Sequence, residues 1–365
     1  MTTFSAALAT PDLGGLGERV TAALDEFLDD RAGWLGDIGP DLAPVAATVR
    51  DFVLDGGKRL RPAFAYWGWR GVGGPDGEEI VRAVACLELL HAGALVHDDL
   101  MDASETRRGA PSVHRRFASL HRRAGWRGSP DAFGAAGAIL LGDLCLVWAD
   151  TMLAGSGLPA EGLMRAIPVY HEMRAELMAG QYLDVLAQAT GGAGPAGALR
   201  VAQRVARYKS AKYTVERPLH LGAALAGGSE PALAAYTAYG LPLGEAFQLR
   251  DDLLGVFGDP AETGKPAGDD LREGKRTALV ALTLERTDRA GAVTMRRLLG
   301  DPDLDAGGVA ELREVIVASG AAGAVEELIA ERTSRALAAL AAAPITRQAH
   351  DTLAALAVAA TARRV

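Results

Sequence analysis

Two short acidic clusters, about 150 residues apart, carry the residue types that metal chemistry requires. The first is HDDLMD at residues 97–102, at the end of an apolar run that begins near Ile80. Asp98 and Asp102 are four residues apart, so on a helix they share one face and can bind a cation together. The second cluster is Asp251-Asp252, within FQLRDDLLG at residues 247–255. We expect the two clusters to face each other.

Neither acidic cluster is explained by helix capping or by a common metal motif. Both lie at the ends of apolar runs, where the helix dipole disfavours anions and N-capping gives no reason for them. Neither has the spacing of a calcium-binding loop or the Cys and His ligands that zinc prefers. Carboxylates suit Mg²⁺, which keeps water and substrate phosphates among its ligands. The clusters therefore predict Mg²⁺ shared with a phosphorylated substrate.

Basic residues provide partners for that phosphate. The segment RRG at residues 107–109 follows the first cluster closely, and paired arginines suit bidentate binding of phosphate oxygens. Lys58 and Arg61 follow two glycines whose backbone N–H groups can approach a ligand closely. The alternative for this second segment is a helix C-terminus whose cations interact with the helix dipole. Lys265 lies in a long irregular loop and is a further candidate.

Composition indicates an all-α protein. The 365 residues are 49% hydrophobic, with Ala and Leu dominant, and only 5% aromatic, which favours helices over strands. The net charge of −8 argues against a broad nucleic-acid surface, although local basic clusters can bind small anions. No stretch reaches the ~20 uninterrupted apolar residues of a membrane span, and the N-terminus lacks the pattern of a signal sequence. We therefore predict a cytoplasmic protein with no membrane span and no nucleic-acid partner.

Apolar periodicity predicts the long helices that position both clusters. The predicted helices span residues 13–28, 42–54, 78–102, 133–153, 160–189, 198–226 and 231–256, followed by Ala-rich segments at 277–285, 309–319, 321–342 and 346–360. The helix at 78–102 is apolar on nearly all sides, so we expect it to be central in a bundle. Residues 1–365 show no repeat and no clear linker, which predicts one large domain whose first ten or so residues are disordered.

The ordered motifs DDLMD at 98–102, RRG at 107–109 and FQ before Asp251-Asp252 resemble those of the trans-isoprenyl diphosphate synthases, or polyprenyl synthetases. The resemblance extends from about Gly57 to Lys275. It implies the all-α isoprenoid synthase fold, a single bundle of long helices around a central apolar cavity, assembled as a homodimer. It also implies head-to-tail condensation of isopentenyl diphosphate with an allylic diphosphate (dimethylallyl, geranyl or farnesyl), assisted by three Mg²⁺ ions per active site.

The resemblance also assigns roles to individual residues. It makes Asp98 and Asp102 ligands of two Mg²⁺ ions and Asp251 the ligand of the third. The residues implied to bind the allylic diphosphate, which complete the expected catalytic set, are Arg107, Lys209 and Lys265. The residues implied to bind isopentenyl diphosphate are Lys58, Arg61, His91 and Arg108. Further substrate contacts are expected at Gln181, Ser210, Gln248 and Lys275.

Two positions depart from the family's pattern. Gly255 replaces the third aspartate of the second acidic motif, although Asp251 and Asp252 remain and Asp259 follows. Ser210 stands where threonine is usual, which keeps the hydroxyl group. Neither departure argues against activity.

The residues just before the first cluster bear on product length. If the growing chain runs along the helix before Asp98, the residues four and five positions earlier, Ala94 and Gly93, form the floor of its cavity. Bulky aromatics there stop growth at fifteen carbons in the family, so we expect a longer product here and expect phenylalanine at either position to shorten it. Leu90 and Leu89, one turn deeper, favour geranylgeranyl diphosphate, with twenty carbons. The alternatives are a farnesyl product or one of twenty-five carbons or more.

Two other function classes share part of the pattern: a class I terpene cyclase and a noncatalytic subunit that regulates another synthase. A cyclase is expected to lack the RRG element and the second pair of aspartates. A regulatory subunit is expected to have lost an acidic motif. This chain keeps all of these features, which favours an active synthase.

Overall fold

The computed structural model describes residues 15–190, 195–259, 268–301 and 303–362. Within these ranges the protein is almost entirely helical, which confirms the predicted all-α class. The strands in this part of the chain are β1 (Thr106–Arg107) and β2 (Ala110–Pro111), which pair antiparallel in a short hairpin. Two predictions, disorder of the first ten residues and the role of Lys265, lie outside the described residues.

The chain divides into two compact units. The N-terminal unit contains residues 15–167 and Leu221–Gly228, and the C-terminal unit contains Pro168–His220 and the described residues from Ser229 onward. The helices of the N-terminal unit are α1 (Leu16–Ile38), a 3₁₀ helix (Pro40–Leu42), α2 (Ala43–Leu54), α3 (Leu60–Gly71), α4 (Glu78–Met101), α5 (Val113–Ala124) and α6 (Pro130–Ala154). The boundary between the units falls within α7 (Ala160–Ala189) and within α9 (Arg217–Leu225).

The C-terminal unit is built around one long helix. Between α7 and α9 the chain forms α8 (Pro195–Val205) and a π-helix (Ala206–Glu216), and α10 (Glu230–Phe257) follows α9. The remaining helices are α11 (Asp269–Arg272), α12 (Ala278–Arg286), α13 (Arg289–Leu298), α14 (Ala306–Ala318), α15 (Ala321–Ala341) and α16 (Arg347–Thr361). The apolar side chains of α10 pack in one core with those of α12, α14 and α15, for example Leu279, Leu312 and Val325.

Helix α4 is the central helix of the N-terminal unit, and α6 packs closely against it. A Cβ atom at Gly93 would lie 2.9 Å from the carbonyl oxygen of Gly142, so the two backbones nearly touch at this point. One turn further, Nε2 of His97 lies 3.1 Å from the carbonyl oxygen of Ile139 and 3.6 Å from Oδ1 of Asp143. His97 therefore serves the packing of the two helices, as is usual for a single histidine on an apolar helix.

Both α4 and α6 are long and apolar enough to cross a membrane by length and composition alone. The apolar window of α4 is 72% buried, which is typical of a core helix, and a core helix passes this test without meeting any membrane. The window of α6 is only 39% buried, and Ile139, Leu140 and Val147 are exposed. The two helices are thus weak evidence for a membrane span, but α6 presents an apolar surface.

The predicted helix at residues 198–226 is wrong in its middle, because the chain there forms the π-helix between α8 and α9. The π-helix carries Lys209 and Ser210, and two glycines let neighbouring helices approach its backbone. A Cβ at Gly180 would lie 2.7 Å from Cα of Lys209, and a Cβ at Gly244 would lie 2.5 Å from the carbonyl oxygen of Ala211. Such wide turns are rare in proteins and frequent at functional sites.

We expect Gly180→Ala to lower the free energy of unfolding by about 1–3 kcal/mol, because the added methyl group overlaps the backbone of the π-helix. The control is Gly33→Ala on the exposed surface of α1, where a Cβ has no neighbour within 4 Å. This control should stabilise the protein by ~0.5–1 kcal/mol, because alanine is the better helix former. Urea denaturation followed by circular dichroism measures both variants. Equal stability of the two would contradict the close approach of α7 to the π-helix.

Candidate active site

The first acidic cluster lies at the C-terminal end of α4, in the N-terminal unit. The helix ends at Met101, and the backbone N–H of Asp102 still donates to the carbonyl oxygen of Asp98 at 2.8 Å. Asp98 and Asp102 therefore keep helical spacing, and both are partly buried. Asp99, which directly follows Asp98, is fully buried. The cluster thus contains one internal carboxylate and two carboxylates nearer the surface.

Asp99 orients Arg107, a role that sequence reasoning missed. Arg107 lies on β1 and donates from Nε to Oδ1 of Asp99 at 2.9 Å, and its Nη2 donates to the same carboxylate. The same Nη2 lies 3.8 Å from Oδ2 of Asp98. The hairpin then turns through positive φ angles at Arg108 and Gly109. The buried carboxylate thereby holds the Arg107 guanidinium beside Asp98, one of the predicted metal ligands.

Two further arginines are held by a buried glutamate of α4 and by carbonyl groups near the end of α2. Arg59 donates to Oε2 of Glu88 at 2.7 Å and to the carbonyl oxygen of Val53 at 3.0 Å, and both charged side chains are buried. Arg108 donates to the carbonyl oxygen of Asp55 at 2.7 Å. Burial lowers the pKa of Arg108, an effect that the charge of Glu88 opposes and that of Arg59 strengthens. These contacts keep two guanidinium groups close together.

His91, on α4, lies among these cations. Its pKa is well below the ordinary value because burial excludes water and because Arg61, Arg108, Arg107 and Arg59 disfavour a further positive charge. Four guanidinium groups from two segments, residues 59–61 and 107–108, thus act on one neutral imidazole; we call these four arginines the arginine cluster. Like charges gathered in this way repel one another, and an anion offsets the repulsion. The arginine cluster is therefore suited to bind a phosphorylated ligand directly.

The backbone before α3 also favours an anion. Because α2 ends at Leu54 and α3 begins at Leu60, Lys58 and Arg61 lie at a helix N-terminus rather than at a C-terminus. The helix dipole opposes cations at this end, so the structure does not support the alternative that Lys58 and Arg61 satisfy a helix dipole. An anion placed here is stabilised both by the dipole and by the basic side chains.

The second acidic cluster lies near the end of α10, in the C-terminal unit. Asp251 is exposed and Asp252 is buried, and Gln248, one turn earlier, donates to Oδ1 of Asp252 at 2.8 Å. Burial raises the pKa of Asp252 to about 8; the bond from Gln248 opposes this rise, and the charges of Asp270 and Asp251 add to it. Nζ of Lys275 lies 3.5 Å from Oδ1 of Asp270. Residues from the loop region after α10 therefore join this cluster.

Lys209 and Ser210 are placed by the π-helix against α7. Nζ of Lys209 lies 2.6 Å from Oδ2 of Asp184, and Ser210 is buried. Gln181 lies on α7 three residues before Asp184 and is partly buried. The structure thus brings together three of the predicted substrate contacts, and it adds Asp184 as the residue that holds the lysine.

The predicted metal ligands have the chemistry that Mg²⁺ requires. In the part of the chain that the structure describes, no group of three or more His, Cys, Asp or Glu side chains could hold a metal ion by itself. Asp98 and Asp102 offer carboxylate oxygens at helical spacing, which leaves coordination positions for water and for phosphate oxygens of a substrate. This donor set fits Mg²⁺ that binds together with a phosphorylated substrate.

In this all-α fold, carboxylates lie at the end of α4 and the arginine cluster surrounds His91 on the same helix. Such an arrangement is typical of an enzyme that binds phosphorylated substrates with the help of metal ions. The chain belongs to the polyprenyl synthetase family, whose model, described as "Polyprenyl synthetase", matches residues 43–316. A geranylgeranyl pyrophosphate synthase from Corynebacterium glutamicum, solved with isoprenyl diphosphate and magnesium, is 44% identical with a TM-score of 0.93. That alignment covers 97% of this chain and 100% of the solved chain.

Curated relatives agree with this assignment. A geranylgeranyl diphosphate synthase from Mycobacterium tuberculosis is 31% identical over 334 residues, which cover 91% of this chain and 87% of the relative. A geranylfarnesyl diphosphate synthase from Aeropyrum pernix is 34% identical over 244 residues, which cover 66% of this chain and 70% of the relative. The predicted family, the isoprenoid synthase fold and the class of prenyl-transferring enzyme are confirmed, and the family together with the solved complex supports a divalent metal.

We expect Glu88→Ala to lower the free energy of unfolding by about 3–5 kcal/mol, because it leaves Arg59 as a buried charge without its carboxylate. The control on the same helix is Glu78→Ala, which removes a largely exposed ion pair with Arg19 and should cost less than about 1 kcal/mol. Urea denaturation of both variants measures the difference. Similar small losses in the two would mean that Arg59 does not depend on Glu88.

Proposed function

We propose that this protein condenses isopentenyl diphosphate with an allylic diphosphate, head to tail, and that its product is geranylgeranyl diphosphate. The observation that carries the proposal is the combination of features on α4: the carboxylates of Asp98 and Asp102 at its end, and the arginine cluster around His91. Each feature suits a diphosphate by a different chemistry, one through metal ions and the other through direct ion pairs. A condensation of two diphosphates requires two such sites.

The part of the arginine cluster that contains Arg61 and Arg108 is the proposed site for isopentenyl diphosphate, whereas Arg107 belongs to the site of the allylic diphosphate. Lys58, Arg61 and Arg108 would bind its phosphate oxygens, and charge-assisted bonds of this kind are the strong ones. The low pKa of His91 keeps its imidazole neutral, so the ring can donate a hydrogen bond without adding to the repulsion among the arginines. This site needs no metal ion, because the protein already supplies the positive charge.

The end of α4 is the proposed site for the allylic diphosphate. Asp98 and Asp102 are the proposed ligands of two Mg²⁺ ions, and Asp251 is the proposed ligand of a third, as the family resemblance implies. When bound, Mg²⁺ neutralises the charge that develops on the departing diphosphate. Arg107 adds a positive charge that Asp99 holds in place before the substrate arrives, so little reorganisation is needed during the reaction.

The reaction that these sites would support is balanced without an external reagent. The carbon–oxygen bond of the allylic diphosphate breaks, a carbon–carbon bond to isopentenyl diphosphate forms, and the released diphosphate takes up the proton that is lost. Lys209 and Lys265 are further proposed contacts of the allylic diphosphate. Ser210, which is buried, is proposed to stabilise the cationic carbon skeleton. The other proposed substrate contacts are Gln181, Gln248 and Lys275.

We also propose that the protein is a homodimer and that the apolar surface of α6 contributes to the interface. Ile139, Leu140 and Val147 are exposed on this helix, and burial of apolar surface is the main favourable term in protein association. The predictions of a cytoplasmic location and of no nucleic-acid partner stay predictions.

The structure suggests a different role for Gly93, one of the residues expected to determine product length. Gly93 faces α6, where Gly142 leaves no room for a side chain, so a phenylalanine there would separate the helices rather than close a cavity. Ala94 is partly exposed, and Leu90, one turn deeper, is buried. We therefore keep Ala94 and Leu90 as proposed determinants of chain length and assign Gly93 to helix packing. The relatives named as geranylgeranyl diphosphate synthases support a product of twenty carbons.

Ala94→Phe is expected to shorten the main product by at least one isoprene unit, because the ring fills the space next to the growing chain. Gly93→Phe is expected to destabilise the protein by about 3 kcal/mol or more, because it overpacks the contact with α6. Chromatography of the dephosphorylated products and thermal unfolding distinguish the two effects. An unchanged product from a folded Ala94→Phe variant would remove this residue from the determinants of chain length.

Incubation with labelled isopentenyl diphosphate, Mg²⁺ and each allylic primer tests the proposed reaction. Extension of a primer is expected, and Asp98→Asn should lower the rate by about 10³-fold because it removes a metal ligand. Asp37→Asn, an exposed change on α1, is the matched control and should keep the wild-type rate. Failure to extend any primer would contradict the proposal, and a hydrocarbon product would identify a cyclase instead.

A further inference from the structure

We infer that the loop between α5 and α6 binds the surface of a membrane that carries anionic lipids. Trp126 enters the boundary between headgroups and acyl chains, and the arginines that flank it bind the headgroups. Such binding is peripheral and needs no helix that crosses the bilayer. It is also separate from the proposed function, because it requires neither a substrate nor a metal ion.

Positive charge is concentrated in this part of the chain. Residues 112–130 contain five arginines and no aspartate or glutamate, although the whole chain has a net charge of −8. Three of these arginines, Arg122, Arg123 and Arg127, are exposed at the end of α5 and in the loop that follows it. Asp131, the next acid along the chain, lies 3.7 Å from Nη1 of Arg122 and offsets one of the three charges. The exposed side of the loop is therefore positively charged.

An exposed aromatic side chain lies among these arginines. Trp126 is 49% exposed, and the centroid of its ring lies 5.2 Å from that of Phe133, which is 37% exposed. The His121 ring lies 6.0 Å from Trp126 and 5.4 Å from Phe133. Tryptophan is enriched where proteins meet a membrane surface, because its ring is apolar and its N–H group is polar. The loop thus combines the two features that interfacial binding uses, an aromatic ring and basic side chains.

The loop is held in one shape before any ligand binds. Helix α5 ends at Gly125, which has a left-handed φ of 63°. The N–H of Trp126 donates to the carbonyl oxygen of His121 at 3.3 Å, and Nε2 of His121 lies 3.0 Å from the carbonyl oxygen of Arg127. These contacts present the indole at the tip of the loop. A preformed binding surface costs less conformational entropy when it binds.

A lipid surface fits this loop better than the other candidate partners do. Arginines alone bind an acidic polypeptide as readily, but the exposed indole adds a preference for the interfacial region of a bilayer. Two copies of this chain that met loop to loop would bring their arginines together, and like charges repel. If the proposed function holds, the product has an anionic head and an apolar chain of twenty carbons. The loop would then bring the enzyme to a surface that accepts such a product.

Sedimentation of the full chain with lipid vesicles tests this inference without any substrate. One set of vesicles contains equal parts of phosphatidylglycerol and phosphatidylcholine, and the other contains phosphatidylcholine alone. We expect binding to the anionic vesicles, and we expect it to weaken as salt is added, because salt screens the charges. Binding to phosphatidylcholine should be at least about tenfold weaker, since each arginine near an anionic surface contributes about fivefold.

Trp126→Ala is expected to weaken binding to the anionic vesicles by at least about tenfold, because the variant has no ring to bury in the interface. The matched control is Trp34→Ala on α1, since Trp34 is 48% exposed and lies outside the loop. This control should bind as the wild type does. A similar loss in both variants would contradict a specific role of Trp126.

Replacement of the three exposed arginines of the loop by glutamine is expected to weaken binding to the anionic vesicles by about 10²-fold. The matched control replaces three exposed arginines of the C-terminal unit by glutamine: Arg289, Arg296 and Arg347. The two triple variants have the same net charge, so a general effect of charge would appear in both. Only the variant in the loop should lose binding.

The results have distinct meanings. If the wild type does not bind anionic vesicles, or binds both kinds of vesicle equally, the inference is overturned. It is also overturned if the folded loop variants bind as the wild type does, because the contact would then lie elsewhere. Thermal unfolding establishes whether each variant is folded. If Trp126→Ala does not fold, the two triple arginine variants decide the question, since their side chains are exposed.

Two further measurements identify another partner. If Trp126→Ala dissociates the protein in sedimentation equilibrium, the loop belongs to an interface between subunits, and the inference is overturned. Binding of polyglutamate by the loop arginines, without binding of vesicles, would assign the surface to an acidic polypeptide and would also overturn it. The extension of a primer in solution tests the proposed function separately. A protein that binds vesicles and extends no primer would contradict the proposed function alone.

Discussion

The buried pairing of Asp99 with Arg107 is the interaction on which the first acidic cluster depends. A carboxylate with no exposed surface remains charged only when a cation and hydrogen-bond donors accompany it, and Arg107 supplies both. Because Asp99 adjoins Asp98 in α4, the pair fixes the arginine-bearing hairpin relative to the proposed metal ligands. Three turns earlier, Glu88 holds Arg59 in the same way. The internal acids of α4 thus position the cations that a diphosphate needs.

Four arginines act on His91, and two of them, Arg59 and Arg107, are paired with the buried carboxylates of Glu88 and Asp99. Burial and the positive charges of the four arginines together hold the pKa of His91 well below its ordinary value. A bound anion relieves the repulsion, so a diphosphate should stabilise the folded state as well as occupy the site. The acidic cluster on α10 has the opposite character, because burial and neighbouring carboxylates raise the pKa of Asp252. The arginine cluster is therefore suited to bind an anion, and the acidic cluster on α10 is suited to bind a cation.

The sequence predicted the helices well because their apolar patterns are long and regular. The central helix was expected at residues 78–102 and is observed as Glu78–Met101, and the helix expected at 231–256 is Glu230–Phe257. The π-helix could not be predicted, because its extra residue per hydrogen-bonded turn leaves no clear mark on the residue pattern. Features that depend on contacts between segments were also missed, and the role of Gly93 is an example. Five positions on a helix rotate Gly93 by about 140° from Asp98, so it faces α6 and not the space next to Asp98.

The residues of the site also divide into those recognised from local sequence and those that depend on the fold. Motif spacing identified the acidic clusters and the paired arginines, because runs of like charge beside apolar helices are unusual in a sequence. It did not predict that Asp99 holds Arg107 or that Asp184 holds Lys209, because each pairing depends on what lies opposite the carboxylate in the fold. Nor could it decide between a helix C-terminus and an anion site for Lys58 and Arg61, since that choice depends on where α3 begins.

The central claim is that the arginine cluster binds isopentenyl diphosphate without metal, while the end of α4 binds an allylic diphosphate only with metal. Calorimetric titration of each substrate into the protein, in EDTA and then in Mg²⁺, tests this claim directly. We predict that isopentenyl diphosphate binds with similar affinity in both conditions and that geranyl diphosphate binds tightly only with Mg²⁺. An equal requirement for Mg²⁺ by both substrates would contradict the claim.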